Sequence, residues 1–161
     1  MRRPSFPLQP IEESFFDTAP FRLRETFDVR RPASQVWADL TGDDPLVWCR
    51  IIQRITLTSP PRYGVDTTRT ARALGGAIVF RERIFGWEEG RRHSFHVLQA
   101  SVPLFRRFAE DYLLEPTDET SCRLTWTIAT EPRGLGRLAN PANRLLLSTL
   151  FRDTRQQYSI H

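Results

Sequence analysis

The chain of 161 residues contains no lysine; all 23 of its basic residues are arginine. Lysine-centred catalysis, including Schiff-base chemistry, is therefore excluded. A genome rich in G and C, whose codons favour arginine, is the simplest hypothesis for that bias. Cysteine is scarce. The two present, Cys49 and Cys122, form no CxxC pair and have no histidine at ligand spacing. They read as small buried hydrophobes rather than a disulfide or metal pair. No apolar run approaches the roughly 18 residues needed to span a bilayer. The first residues, Met1-Arg2-Arg3 and then PSFPLQPIEES, lack the apolar segment of a secretory signal. The expected compartment is thus the reducing cytoplasm. GxSxG and HExxH are absent, so neither a nucleophile elbow nor a zinc helix is expected. Gly134-Leu135-Gly136 lacks the rest of a dinucleotide pattern, and Gly75-Gly76 lacks the lysine of a phosphate loop. No metal and no cofactor are expected.

A hydrophobic content of 40% and a charged content of 26% suit one soluble domain with a real core. The net charge of +4 comes from arginines scattered among acids, among them Arg22, Arg50, Arg69, Arg83 and Arg107. That distribution reads as a solvated surface, with no nucleic-acid partner. Residues 1–20 hold four prolines and read as an N-terminal arm outside a domain spanning 21–161. Phe6, Leu8, Ile11, Phe15 and Phe16 would let the arm lie along the domain or across a partner in a homodimer.

The strongest helix signal is Asn140–Tyr158, with Asn140 as N-cap and Pro141 at the first helical position. Leu146, Leu147 and Leu150 share one face, widened by Leu145 and Phe151. Arg144, Arg152 and Arg155 share a water-facing one. Almost everything before it alternates as strand. Strands are expected at 21–30, 55–58, 67–74, 77–87, 91–101, 108–115 and 122–130. Two short helices are expected after the first strand, at 32–40 and near 45–52. Glu25 and Glu82 fall on apolar faces, where a carboxylate must be paired, hydrated or at a frayed edge. Tyr112 shares a face with Phe108 and Glu110, or in the opposite register with Asp111 and Leu113. His93 follows Arg91-Arg92 at a turn and reads as exposed, although alternation places it with Phe95, Val97 and Gln99. His96 alternates outward.

The order of these elements matches the helix-grip plan, and several stretches resemble the SRPBCC superfamily of START-like and polyketide cyclase/dehydrase-like proteins. The stretches are FDVRRPASQVWADLTGDDPLVW at 27–48, GVDTTRTARAL at 64–74, RERIFGWEEGRRHSFHV at 81–97 and TSCRLTWTI at 120–128. Asp66 replaces a usual glycine of the second, and Ser121 and Cys122 depart from the last. The resemblance implies an α+β helix-grip fold, a seven-stranded curved antiparallel sheet wrapped around the long C-terminal helix. It also implies a cavity between them for a small hydrophobic molecule such as a lipid, quinone or polyketide. On that plan Leu23, Trp48, Phe80, His93, Phe95, Trp126, Leu146, Leu147 and Leu150 are candidate ligand contacts. Simple core filling is the alternative for each of them. Glu82, Glu25 and Tyr112 are candidate acid/base groups, because desolvation would raise a carboxyl pKa. A blander account pairs each glutamate with an arginine. Three functions follow: a non-catalytic binding protein, a cyclase or dehydratase, or a protein-interaction module with a filled core.

Overall fold

A computed structural model describes residues 2–60, 63–134 and 140–159, with Asn140 described in its backbone only. The elements run β1 (Phe6–Pro7), α1 (Phe15–Thr18), β2 (Phe21–Val29), α2 (Ala33–Thr41), β3 (Ile52–Leu57), β4 (Thr68–Ala73), β5 (Ile78–Glu88), β6 (Arg92–Ala100), β7 (Phe105–Pro116), β8 (Cys122–Pro132) and α3 (Asn140–Ser159). Seven strands form one antiparallel sheet in the order β2-β8-β7-β6-β5-β4-β3. The sheet curves into a half-barrel around α3, as the resemblance implies. The proposed cap at Asn140 and the Gly134–Gly136 stretch involve residues outside those described.

Hydrophobic alternation fixes the concave face. Across β7 and β8, Tyr112 lies opposite Trp126, Leu114 opposite Leu124 and Glu110 opposite Ile128. All six are buried. From α3, Leu147, Leu150 and Phe151 pack onto this face. Leu145, placed on the apolar side by the sequence, is instead 71% exposed. Burial of α2 through Val36, Trp37 and Leu40 agrees with its apolar stripe. The second short helix is not formed: residues 45–48 make turns, and Leu46 takes a φ of +58°. A left-handed backbone at Leu46 is incompatible with continuing a helix.

Two irregularities in β5–β6 pairing shift the alternation. Arg81 faces Gln99 but Glu82 faces Val97, so an extra residue of β6 sits between these pairs. That bulge moves Gln99 off the face it would otherwise share with Val97. There its side-chain oxygen accepts a hydrogen bond from Ser5 at 3.0 Å.

The N-terminal segment lies on the convex face. β1 pairs with the end of β6, where β7 no longer does. The Leu8 N–H donates to the Leu98 carbonyl and the Gln9 N–H to that of Arg106. Phe15 and Phe16 are buried over Ala109 and Ala129, whose small side chains leave room for them. Phe16 stacks on Phe85, and the Arg107 guanidinium lies 4.4 Å from the Phe15 ring centre. His96 points outward as expected yet is buried, with the Phe85 ring 5.6 Å away. Phe16→Ala is expected to lower stability by about 3 kcal/mol, the usual cost of truncating a buried phenylalanine. Urea unfolding would measure it; a loss below about 1 kcal/mol would mean the segment adds little to the fold.

Candidate functional site

Between the sheet and α3 lies a cavity of about 80 Å³, counted as the space open to the centre of a water molecule. That is several times the 10–15 Å³ or so a single water needs. Its walls are largely apolar: Ile52, Ile55 and Ala71 from β3 and β4, Phe80 and Phe95 from β5 and β6, Phe105 and Phe108 from β7, and Leu146, Leu147 and Leu150 from α3. Four polar side chains reach it: Arg69, Glu82, Glu110 and Asn143.

Arg69 and Glu82 sit directly opposite one another on β4 and β5. The Arg69 Nε–H donates to Glu82 Oε2 at 2.6 Å, and both side chains are nearly inaccessible. The guanidinium also covers the Phe95 ring, 4.2 Å from its centre. Burial pushes the Glu82 carboxyl up, and Arg69 pulls it back down. Burial pulls the Arg69 pKa down, but Glu82, with Tyr112 and Glu110, more than offsets that, so its charge persists.

Glu110 lies opposite Phe95 on the neighbouring strand. Its Oε2 accepts the Tyr112 hydroxyl at 2.7 Å and the Trp126 Nε1–H at 2.9 Å. Burial nevertheless pushes its carboxyl up to about 7, helped by the negative charge of Glu82 and opposed by those two hydrogen bonds and by Arg69. Burial and Glu110 together raise the Tyr112 hydroxyl well above its usual range, so it remains a donor.

An aromatic row crosses the sheet one step beyond this cluster. Trp87, His93, Tyr112 and Trp126 are successive cross-strand partners, with ring centres 5.9, 4.7 and 5.0 Å apart. His93, expected at the surface, is 1% exposed. The bulge between Ile84 and Gly86 brings Trp87 over it. Neither imidazole nitrogen has a hydrogen-bond partner among the described residues. Burial, aided by Arg69, drives the imidazole pKa down to about 3, so it is neutral. His93 and Arg69 together line a second space of about 20 Å³, room for one water.

The sequence candidates therefore separate. Phe80, Glu82, Phe95, Leu146, Leu147 and Leu150 line the main cavity. Tyr112 and Trp126 stand behind Glu110 and reach the cavity through it. Trp48 is turned to α3, where its Nε1–H donates to Thr154 Oγ1 at 3.0 Å and its ring meets Tyr158. Leu23 is partly buried on the edge strand β2. Glu25, also on β2, forms an ion pair with Arg155 and is not part of the cavity wall. Cys49 and Cys122 are both buried and unpaired, and burial pushes the Cys49 thiol up to about 12.

Three polar wall residues were not singled out from the sequence. Arg69 was grouped with surface arginines, yet it is 5% exposed. Its signal was alternation with Ala71 and Ala73, which marks the inner face of β4. Glu110 was visible on the face of Tyr112 and Phe108. Asn143 gave no signal beyond sharing a helix face with Leu146, Leu147 and Leu150.

A curved antiparallel sheet closed by one C-terminal helix over an apolar cavity defines a START-like, helix-grip domain. The chain belongs to the polyketide cyclase/dehydrase and lipid transport family, whose model matches residues 20–157. Uncharacterized proteins of Mycobacterium bovis and Mycobacterium tuberculosis are each 35% identical over 158 residues, covering 94% of this chain and 92% of theirs. A START superfamily protein from Mycobacterium smegmatis superposes with a TM-score of 0.66 at 14% identity, covering 86% of this chain and 97% of that one. The major latex-like protein 151 of Panax ginseng gives 0.59 at 18% identity, with coverage of 86% and 97%. Both structural likenesses concern the fold. No helix among the described residues is long and apolar enough to cross a membrane.

Proposed function

We propose that this protein binds a small hydrophobic molecule in the cavity under α3 and acts as a carrier or sensor of it, without chemistry. The observation that carries this reading is the open, mostly apolar space of about 80 Å³ beneath Leu146, Leu147 and Leu150. An interaction module would have filled that space, since interiors normally pack without voids of this size. Native mass spectrometry of freshly purified protein is expected to show a retained molecule, or an empty protein that a panel of lipids, quinones and polyketides stabilises against heat. An empty protein unmoved by the whole panel would count against this function.

A second reading has one specific support. Glu110 is a cavity carboxyl held near neutrality, with Tyr112 fixing its orientation at 2.7 Å. A cyclase or dehydratase needs such a group to move a proton at a ligand carbonyl. In that reading Glu110 does the work expected of Glu82 or Glu25, Tyr112 positions it, and Glu82 holds Arg69. Glu110→Gln would abolish turnover of any ligand found by mass spectrometry; retained turnover would remove Glu110 from the mechanism.

A further inference from the structure

The four polar side chains of the cavity do not offer equivalent contacts. Arg69 and Glu82 are joined by one hydrogen bond, from Nε–H to Oε2 at 2.6 Å, and together carry no net charge. A ligand carboxylate would thus find no free cation and would lie near Glu110. Both hydrogen bonds that Glu110 accepts fall on Oε2, and among the described residues Oε1 makes none. The proton of the neutral acid therefore belongs on Oε1, where it is a donor in need of an acceptor. Asn143 is also unmatched. It faces the cavity from α3, and its Nδ2 is buried without a partner among the described residues. Donors without acceptors in an apolar setting are costly, and Glu110 and Asn143 line the same largely apolar cavity.

We propose that the cavity selects an uncharged, apolar ligand bearing an acceptor oxygen, a ketone or related carbonyl, with the Asn143 amide and the Glu110 carboxyl donating to it. This rests on the ligand-binding function proposed above and narrows its ligand class. A carboxylate is disfavoured because Arg69 is already neutralised. An amine would set a third donor beside Asn143 and could gain only from the ionised form of Glu110.

The selection changes with pH because one group titrates near neutrality. The charged and titratable groups facing Glu110 are Arg69 on β4, Glu82 on β5, Tyr112 on its own strand and Cys49 before β3. His93 lies beyond Tyr112, stacked on its ring. Burial holds Cys49 and Tyr112 protonated and His93 neutral through this range, and Arg69 keeps its charge. Glu110 itself, pushed up to about 7, loses its donor proton as the solution becomes alkaline.

The test uses the full chain and displacement of the uncharged fluorophore N-phenyl-1-naphthylamine by 2-octanone, octane, octanoate and octylamine, from about pH 5.5 to about pH 8.5. The affinity for 2-octanone is expected to fall about tenfold as Glu110 ionises, while that for octane stays flat. Octanoate is expected to compete poorly throughout. Asn143→Leu should weaken 2-octanone about tenfold and leave octane at least as tight, and Glu110→Gln should flatten the pH profile. A 2-octanone profile as flat as that of octane would overturn the proposal while ligand binding stood. Tight octanoate binding, or octylamine tightening with rising pH, would overturn it in the same way. Absence of any saturable fluorophore binding would overturn both this inference and the function on which it rests.

Discussion

Glu82→Leu is expected to lower the free energy of unfolding by about 3–5 kcal/mol, whereas Arg69→Met combined with Glu82→Leu should recover most of that loss. Both partners are about 5% exposed and bonded at 2.6 Å. Removing the carboxylate leaves a buried guanidinium over the Phe95 ring without its hydrogen-bond partner. Removing both charges leaves apolar groups of similar volume in an apolar wall. The contrast is Arg83–Asp66, one residue along β5 from Glu82 but on the outer face, with side chains 46% and 67% exposed. Breaking that pair should cost under about 1 kcal/mol, because water replaces the lost partner. A double-mutant cycle by denaturant unfolding separates the two cases. Equal, small costs for both pairs would show that Arg69–Glu82 is hydrated.

The stability contributed by Glu110 should fall by about 3 kcal/mol between pH 4 and pH 8, from its rise from 4.5 to about 7 at about 1.4 kcal/mol per unit. The sign follows from proton counting. Between those two pKa values the folded state keeps a proton that the unfolded state has released. Stability from this group is therefore full below about 4.5 and lost as pH rises through about 7. His93 acts in the opposite direction. Its folded pKa of about 3 lies below the ordinary 6.5, so its burial favours folding more as pH rises between them. The two slopes oppose one another in the wild-type protein. Comparison with Glu110→Gln removes the His93 contribution and leaves that of Glu110. A difference that stays constant with pH would mean that Glu110 is ionised and solvated.

The strands were legible because each alternates on a sheet with one wet face, and α3 was legible through its leucine row. What failed to show has physical causes. Periodicity gives the face of a residue but not what covers that face. His96 therefore reads as an outer position, although it is buried there with Phe85 against its ring. Bulges change parity without a clear sequence signature, which displaced Gln99 and hid the contact of Trp87 with His93. Arginine on an inner face looks like any surface arginine until its partner strand is known; Arg69 became a core residue only once Glu82 lay opposite it. Of the three acid/base candidates, Glu82 and Tyr112 fall in the buried cluster, and Glu25 is drawn to Arg155 at the sheet edge. The carboxyl that does meet Tyr112 is Glu110, two residues away on the same strand.

The account depends on the space beneath α3 being a ligand site. Fluorescence titration of N-phenyl-1-naphthylamine into the wild-type protein and into Ala71→Phe, which places a ring inside the cavity from β4, tests that most directly. A single saturable site in the wild type, weakened at least about tenfold in a variant that circular dichroism shows to be folded, is the predicted result. Saturable binding of equal strength in both proteins, or none in the wild type, would contradict it.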